Sequence, residues 1–409
     1  MISVEDARSH ILGACASLAP RPLPLLEAAG CVIAESIVAE EDVPAFANTA
    51  MDGYAVRAVD TDDVPARLTV IGTLAAGTEP DMHVGAGEAV RIMTGAPLPP
   101  GADAVVMVER TQAVDGGAAG PSGPLSGMTV VIEARAAAGD HIRRPGEDFR
   151  RGETLFEPGT VLSAGHLGVL ASVGRQRVTV VPRARVGVLS TGDELVADGG
   201  PLRPGQIRDS NRPTLLALVD AAGCDAVDLG LVGDEEAALT EAVHRGAATC
   251  DALVTSGGVS VGDFDYMKQV LDRLGHMRWW QVAVRPAKPL AFGLVGGTPV
   301  FGLPGNPVSS MVSFELFARP ALRSMMGHSV IDRPRVTAVT DEALRRRPDG
   351  KLHLVRVVAA AGDDGRWHVR SSGGQGSHML SAMARANALV ELPDGEGVDA
   401  GASVKVMLL

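Results

Sequence analysis

Cysteine is scarce in this chain. The four that occur among 409 residues, Cys15, Cys31, Cys224 and Cys250, stand far apart with no CxxC pair, and the ten histidines never approach one another at metal-ligand spacing. That pattern argues against a thiolate or imidazole metal site, and scattered free thiols suit a reducing cytoplasm. Positive charge is short as well: 37 lysines and arginines face 49 aspartates and glutamates, a net charge of −12. Such a balance opposes broad contact with nucleic acid or an anionic membrane, although a few arginines and backbone amides can still set the sign of one cleft. Aromatic residues make up only 3%, against 49 glycines and 26 prolines, so many short elements joined by tight turns are expected, over cores of Ala, Val and Leu. No apolar run is long and unbroken. The uncharged stretch Pro289 to Phe314 is interrupted by Gly293, Gly296, Gly297, Pro299, Gly302, Pro304, Gly305 and Pro307, which excludes a spanning helix. The opening MISVEDARSH carries acidic residues where a secretion signal needs basic and apolar ones. The expectation is a cytoplasmic protein with neither nucleic acid nor membrane as partner.

The chain is too long for one core, and about 150 residues per domain suggests roughly three domains. Residues 3–18 read as a helix, with Ser3 and Asp6 as a capping-box-like start and Val4, Ala7, Ile11, Cys15 and Leu18 as one apolar stripe. An extended connector with a short helix around Glu27 follows. From Asn48 to about Ala137 the runs RLTVIG, AVRIMTG, AVVMVE and TVVIEA predict a β-rich domain, with a Gly/Pro/Ser hairpin tip at 115–127. After a second connector, strand and helix alternate from RVGVLS (185–190) onward, the mark of a doubly wound α/β domain with a parallel sheet. Its helices are expected at 214–222 with Gly223 as C-cap, from near Asp234, and at 265–274 ended by Gly275; ALVTS and WWQVAV supply strands. A long helix from Pro307 to about Met326 closes it, with Asn306 as N-cap. Beyond Arg333 five alternating strands suit a small barrel or sandwich.

Ligands of an open α/β sheet bind beyond the carboxyl ends of its strands. Here those ends read Ser190-Thr191-Gly192-Asp193-Glu194, then Thr255-Ser256-Gly257-Gly258-Val259-Ser260-Val261-Gly262-Asp263, then Leu303-Pro304-Gly305-Asn306-Pro307. Glycines alone make tight turns, but three such loops on one edge offer free amides and a helix start to a phosphate or oxyanion. Asp193, Glu194, Asp209, Asp234, Asp263 and Asp265 crowd the same edge. They fit either helix caps and solvated loops or a magnesium ion shared with substrate phosphates. Arg285 and Lys288, in VRPAKP, are placed to face an anion, whereas Arg143, Arg144, Arg150 and Arg151 read equally as a solvated face. The triplet Arg345-Arg346-Arg347 lies in a strand-to-strand turn and is assigned no function. Asp52, in TAMDGY, would ordinarily mark a turn; nothing in composition or spacing makes it catalytic.

Taken in order, NTAMDGYAV, RIMTGAPLPPGADAVVMVE, RRPGEDF, STGDEL, SNRPTL, TSGGVSVGDFDYMK, VRPAKPLAFG and FGLPGNPVSS resemble the motifs of the molybdopterin molybdenumtransferase family, which includes the C-terminal domain of gephyrin. The resemblance runs along essentially the whole chain. It implies a multidomain α/β plus β fold in an elongated subunit: a connector domain from 1–47 and 138–180, an inserted β-rich domain at 48–137, a molybdopterin-binding α/β domain at 181–328, and a C-terminal β-barrel at 329–409. It implies a homodimer whose site joins the α/β domain of one subunit to the inserted domain of the other. The implied reaction takes adenylylated molybdopterin and molybdate, with Mg2+, to molybdenum cofactor and AMP; molybdopterin adenylyltransferase and apo-molybdoenzymes would be its partners.

Carried over by position, the family's catalytic residues fall on Asp52, Thr94, Asp148, Glu194, Asp234 and Asp265, with Glu194 and Asp265 as metal ligands. The binding residues expected are Ser190, Thr191, Gly192, Gly257, Gly258, Ser260, Asp263, Arg285, Lys288, Pro304, Gly305 and Asn306, joined from the barrel by Arg356 and Ser377. Arg285 and Ala287 depart from the lysine and glycine usual in the family, and Gln281 stands where some members carry lysine. Arginine keeps the charge and gains a bidentate fork. Two other classes share the α/β domain, the molybdopterin adenylyltransferases and the nucleotide amidases of the competence-damage type, and the MDGYA and MTGAP motifs of the inserted domain argue against both. A purely scaffolding role is the remaining alternative, and a turnover assay separates it.

Overall fold

Short apolar runs that alternate in burial pair into a six-stranded sheet in the first half of the chain. The structure, a computed structural model, describes residues 1–114, 127–257 and 266–409. It divides into one unit of Glu35–Pro158 with Ala164–Gln176, and another of Met1–Ala34, Gly159–Ser163 and Arg177–Leu409.

In the first of these, strands β1 (Gly53–Val56), β2 (Ala66–Leu74), β3 (Glu88–Ile92), β4 (Ala104–Met107), β5 (Thr111–Val114) and β6 (Thr129–Ile132) lie in the order β4-β1-β3-β2-β6-β5. Successive side chains leave a strand on opposite faces. Tyr54, Val56, Ala104 and Val106 therefore fill one core, while Ala55, Val90, Ile92 and Val105 fill another on the reverse face. Antiparallel β5 and β6 flank the expected hairpin tip, most of which, residues 115–126, lies outside the described residues.

The other unit holds the α/β sheet. Strands β7 (Arg185–Thr191), β8 (Asp225–Val232), β9 (Ala252–Ser256), β10 (Gly275–Gln281), β11 (Val284–Arg285), β12 (Pro289–Val295) and β13 (Thr298–Leu303) follow one another in the chain. All but β11 join one sheet, ordered β8-β7-β9-β13-β12-β10. β8, β7, β9 and β13 are parallel, as expected, but β12 runs antiparallel to both its neighbours, β13 and β10, so the sheet is mixed. The reason is local: Gly296 and Gly297, with φ of 58° and 93°, turn β12 straight into β13 with no crossover helix. WWQVAV is likewise not one strand. β10 starts at Gly275, directly behind the preceding helix, and the chain leaves the sheet before Val284.

Helices α1 (Val4–Ala14), α2 (Asn211–Ala221), α3 (Glu236–Thr249), α4 (Tyr266–Leu274), α5 (Pro307–Ser313) and α6 (Arg319–Met325) cover both faces. Ile11, Leu215, Val312 and Leu322 pack on Val186 and Val188, while Leu239, Val243, Val270 and Leu271 pack on Leu189 and Leu253. Ser3 caps α1 through Asp6 N at 2.9 Å, but α1 stops at Ala14, short of the expected residue 18. α2 begins three residues earlier than expected and takes Pro213 in its first turn, where a missing N–H costs nothing. Its C-terminal Gly223 has φ 90°. The long closing helix is α5 and α6 joined by a π turn at Phe314–Ala318; Asn306 occupies its N-cap position without a side-chain bond.

The last strands are β14 (Arg335–Thr340), β15 (Leu352–Ala361), β16 (Trp367–Ser371), β17 (Ala388–Leu392) and β18 (Ser403–Leu408). Their order β15-β16-β14-β18-β17, with β17 pairing back onto β15, closes a five-stranded barrel. Val357, Val369, Val390 and Val406 fill its interior, whereas Leu354 and Leu389 on the outer face join the α/β core.

Candidate active site

Because β7, β8, β9 and β13 run parallel, their carboxyl ends share one edge. Ser190 and Thr191 end β7 and are buried. Ser190 Oγ donates to Asp209 Oδ1 at 3.2 Å, and Thr191 Oγ1 to Asp234 Oδ1 at 2.7 Å. Asp193 in turn accepts from the Asp234 N–H at 2.9 Å. The expected helix-cap role of Asp234 is thereby corrected: α3 starts at Glu236 with Glu235 at its N-cap, because Thr191 and Asp193 bind Asp234 to the strand end instead. Glu194 is exposed, its carboxylate folded so closely over Gly192 that a Cβ there would meet it at 2.6 Å.

Gly257, at φ 94°, donates to Leu303 O at 3.2 Å, and a Cβ on it would meet Thr191 O at 2.8 Å. The ends of β7, β9 and β13 are thus in contact through a position only glycine fits. Asn211, the first residue of α2, ties them further: its Nδ2 donates to Ser256 Oγ at 2.6 Å and to Gly305 O at 2.7 Å. Asn211 Oδ1 and Thr255 Oγ1 are buried without a partner among the described residues. Pro304 is buried while Gly305 and Asn306 are exposed before α5. The edge therefore gathers Ser190, Thr191, Gly192, Glu194, Asp234, Gly257, Pro304, Gly305 and Asn306. Gly258, Ser260, Asp263 and Asp265 lie outside the described residues.

The barrel reaches the same helix start. Ser377 O accepts the Val308 N–H at 3.1 Å, in the first turn of α5. Arg356, fully buried on β15, donates from Nη2 to Gly374 O at 2.8 Å, and its backbone is bracketed by the Gln375 side chain. Its Nε and Nη1 have no partner among the described residues. Two guanidinium nitrogens left so are costly unless something polar reaches them. Arg285 and Lys288 are both exposed on the turn that follows β10, and Ala287 between them takes φ 81°. Val282 N donates to Lys288 O at 2.7 Å and closes that turn.

In the unit built on the first sheet, Asp52 and Thr94 meet. Asp52 Oδ1 accepts from both Thr94 N and Thr94 Oγ1, each at 2.7 Å. Those two donors, together with the charge of Arg91, hold the Asp52 carboxyl below its usual range. Asp148 sits exposed on another loop of this unit, anchored by its backbone N–H to Val43 O at 3.0 Å, and bonds to neither of them.

Sequence reading passed over Asn211 as a site-shaping residue, although SNRPTL contained it, whereas Asp209 was already among the acidic residues placed on this edge. It also missed Asp349 and Gln375, whose roles come from contacts across the barrel that no local pattern announces. Among the described residues no three His, Cys, Asp or Glu side chains group as a metal site. The four cysteines are all buried, and burial pushes the Cys15 and Cys224 thiols up to about 12. Carboxylate, hydroxyl and carbonyl oxygens are the donors on the strand edge, a set that suits Mg2+ held through one or two carboxylates and substrate phosphates.

The profile of the MoeA N-terminal region (domain I and II) matches residues 2–174, that of the probable molybdopterin binding domain residues 187–324, and that of the MoeA C-terminal region (domain IV) residues 338–409. The chain is 37% identical to the molybdopterin molybdenumtransferase of Haemophilus influenzae, over 99% of this chain and 98% of that one. It is 36% identical to the Bacillus subtilis protein of the same name, over 92% and 87%. A crystal structure of the molybdopterin biosynthesis MoeA protein from Pyrococcus horikoshii OT3 superposes with a TM-score of 0.75 at 28% identity, covering 100% of both chains. With matches along its full length, the chain belongs to the MoeA family, the molybdopterin molybdenumtransferases.

Proposed function

We propose that this chain completes the molybdenum cofactor by inserting molybdate into adenylylated molybdopterin, with release of AMP. The observation that carries this reading is similarity over nearly the full length of relatives that bear the name molybdopterin molybdenumtransferase. The strand edge supports it chemically. Molybdate is a tetrahedral dianion and the other substrate carries a pyrophosphate, so the site must hold several negative charges together. The Gly257 and Gly305 loops, the start of α5, Arg285, Lys288 and Arg356 supply donors and positive charge. Ser190, Thr191, Gly192, Asn306 and Ser377 shape the cradle. Gly258, Ser260 and Asp263 belong to the same loop by sequence.

Carboxylates on this edge would repel such substrates unless a cation neutralises them. Glu194 and Asp265 are the residues we assign to Mg2+, which when bound would supply positive charge to offset the carboxylates and the substrate phosphates. With every cysteine buried, molybdenum takes its sulfur ligands from the pterin and the protein handles molybdate only as an oxyanion. We further propose a cytoplasmic homodimer, the four-domain division given by the resemblance, and sites that need Asp52, Thr94 and Asp148 from a second subunit beside Glu194 and Asp234. Molybdopterin adenylyltransferase and apo-molybdoenzymes are the partners this reaction needs before and after it.

The test is direct. Purified chain given adenylylated molybdopterin should release AMP only with both molybdate and Mg2+ present, in step with formation of active cofactor. Asp52→Asn should lower turnover by about 100-fold or more, with little change in melting, since exposed carboxylates add little to a fold. AMP release indifferent to molybdate, or no turnover at all, rejects the enzyme reading in favour of a scaffold.

A further inference from the structure

Arg285 carries a contact that its sequence neighbourhood does not explain. β11, the two-residue strand that holds it, pairs in parallel with barrel strand β15, setting Arg285 opposite His353. Leu352 N donates to Ala283 O at 2.9 Å and fixes that junction. Just before β15 the barrel presents Asp349, and four basic side chains converge on its carboxylate. Oδ1 lies 2.9 Å from Arg346 Nη2 and 3.1 Å from His353 Nε2; Oδ2 lies 2.8 Å from Lys351 Nζ and 3.8 Å from Arg285 Nη1.

These four are not equivalent. The Arg346 side chain is 2% exposed and donates to the carbonyls of Lys351, Leu392 and Pro393 and to Asp394. Asp349 is consequently immobilised from below. Arg285 is the outlier, with a side chain 69% exposed and an approach too long for a hydrogen bond. Such a pair adds little to stability. What it can do is restrict a long, flexible side chain. A guanidinium is a planar fork with five donors, and its usefulness to a tetrahedral oxyanion depends on how the fork is turned, which is not true of a lysine ammonium. Asp349 approaches Nη1 alone, so among the described residues Nε and the second amino group stay free. The cations around Asp349 outnumber its single charge, so it orients Arg285 without cancelling the local positive field.

We infer that Asp349 is a positioning residue, holding the Arg285 guanidinium so that its free edge meets a tetrahedral oxyanion of the substrates. The inference rests on the proposed anion-binding role of Arg285. Both the phosphate of the adenylylated pterin and molybdate itself have the required chemistry.

Steady-state kinetics on the full chain, varying each substrate in turn, tests it with Asp349→Asn, Arg285→Ala and the double variant. Asp349→Asn should raise one Michaelis constant about three- to tenfold with kcat within about twofold, and the substrate affected identifies which oxyanion is held. Arg285→Ala should raise the same constant further. The double variant should be no worse than Arg285→Ala alone, because a residue that acts only through Arg285 has nothing left to position. If Arg285→Ala changes neither constant, the anion-binding role and the inference fall together. If Arg285→Ala raises one but Asp349→Asn does not, or if Asp349→Asn keeps its effect in the Arg285→Ala background, only the inference falls. Should Asp349→Asn fold poorly, Arg285→Lys decides: a point charge in place of the oriented fork should raise the same constant about threefold or more, and an unchanged constant overturns the inference.

Discussion

Ala287 takes φ 81°, a conformation that crowds any Cβ against the following carbonyl. It is buried, so the strain is not relieved by solvent or movement. Ala287→Gly should therefore stabilise the chain by about 1 kcal/mol, visible as a melting-temperature rise of about 1–3 °C. An unchanged or lower melting point would show that alanine sits there at no cost. His328, just beyond α6, gives a second residue-scale test. It is buried with its Nδ1 unpartnered among the described residues, and burial followed by the charges of Arg323 and Arg319 lowers its pKa from 6.5 to about 4. The unfolded chain thus binds a proton that the native state refuses between those values. Stability from this residue is complete above pH 6.5 and is lost as pH falls toward 4, on the order of 2–3 kcal/mol. Denaturant titrations of His328→Gln and the unaltered chain should diverge across that window, and parallel curves would sink the assignment. Asp52 behaves in the same sense, at lower pH. Its carboxyl is held below the ordinary aspartate value of 3.8 by Thr94, so whatever it contributes is present above pH 3.8 and disappears only in stronger acid.

At the scale of elements, the candidate edge depends on how closely strand ends approach. Gly257 and Gly223 both have positive φ, at 94° and 90°, but only at Gly257 would a Cβ strike backbone, Thr191 O at 2.8 Å; nothing lies within 4 Å of one at Gly223. Each substitution by alanine should carry the left-handed cost of about 1–2 kcal/mol. Gly257→Ala should in addition push β9 from β7 and cut AMP release by at least about tenfold, while Gly223→Ala leaves turnover near normal. Equal turnover in the two variants would remove Gly257 from the site. The element boundaries that sequence reading missed have the same local character. Whether α1 runs to residue 14 or 18, or where WWQVAV breaks, depends on which neighbour claims the backbone: Leu18 N bonds Met325 O, and Ala283 N bonds Ile2 O.

For the whole molecule, the proposed division of the site between subunits makes assembly a functional matter. Sedimentation should find a homodimer, and mixing an Asp52→Asn subunit with a Glu194→Gln subunit should restore about a quarter to a half of normal turnover through one intact site per mixed dimer. A fully active monomer would reject the shared site. No described helix is long and apolar enough to cross a membrane, in keeping with the glycines and prolines that break Pro289 to Phe314.

Sequence by itself determined the β-rich character of the inserted region, the α/β and barrel character of the later regions, the parallel strand ends of Ser190, Ser256 and Leu303, and, through resemblance, the family. Those features rest on short-range chemistry: burial periodicity, glycine at turns, proline at a helix start. Tertiary structure alone decided that Thr191 and Asp193 draw Asp234 out of a helix cap, that Thr94 clasps Asp52 across 42 residues, and that Asp349 stands beside Arg285. Each of these joins groups far apart in the chain, and a carboxylate's partner is fixed by the fold's geometry rather than by the residues next to it.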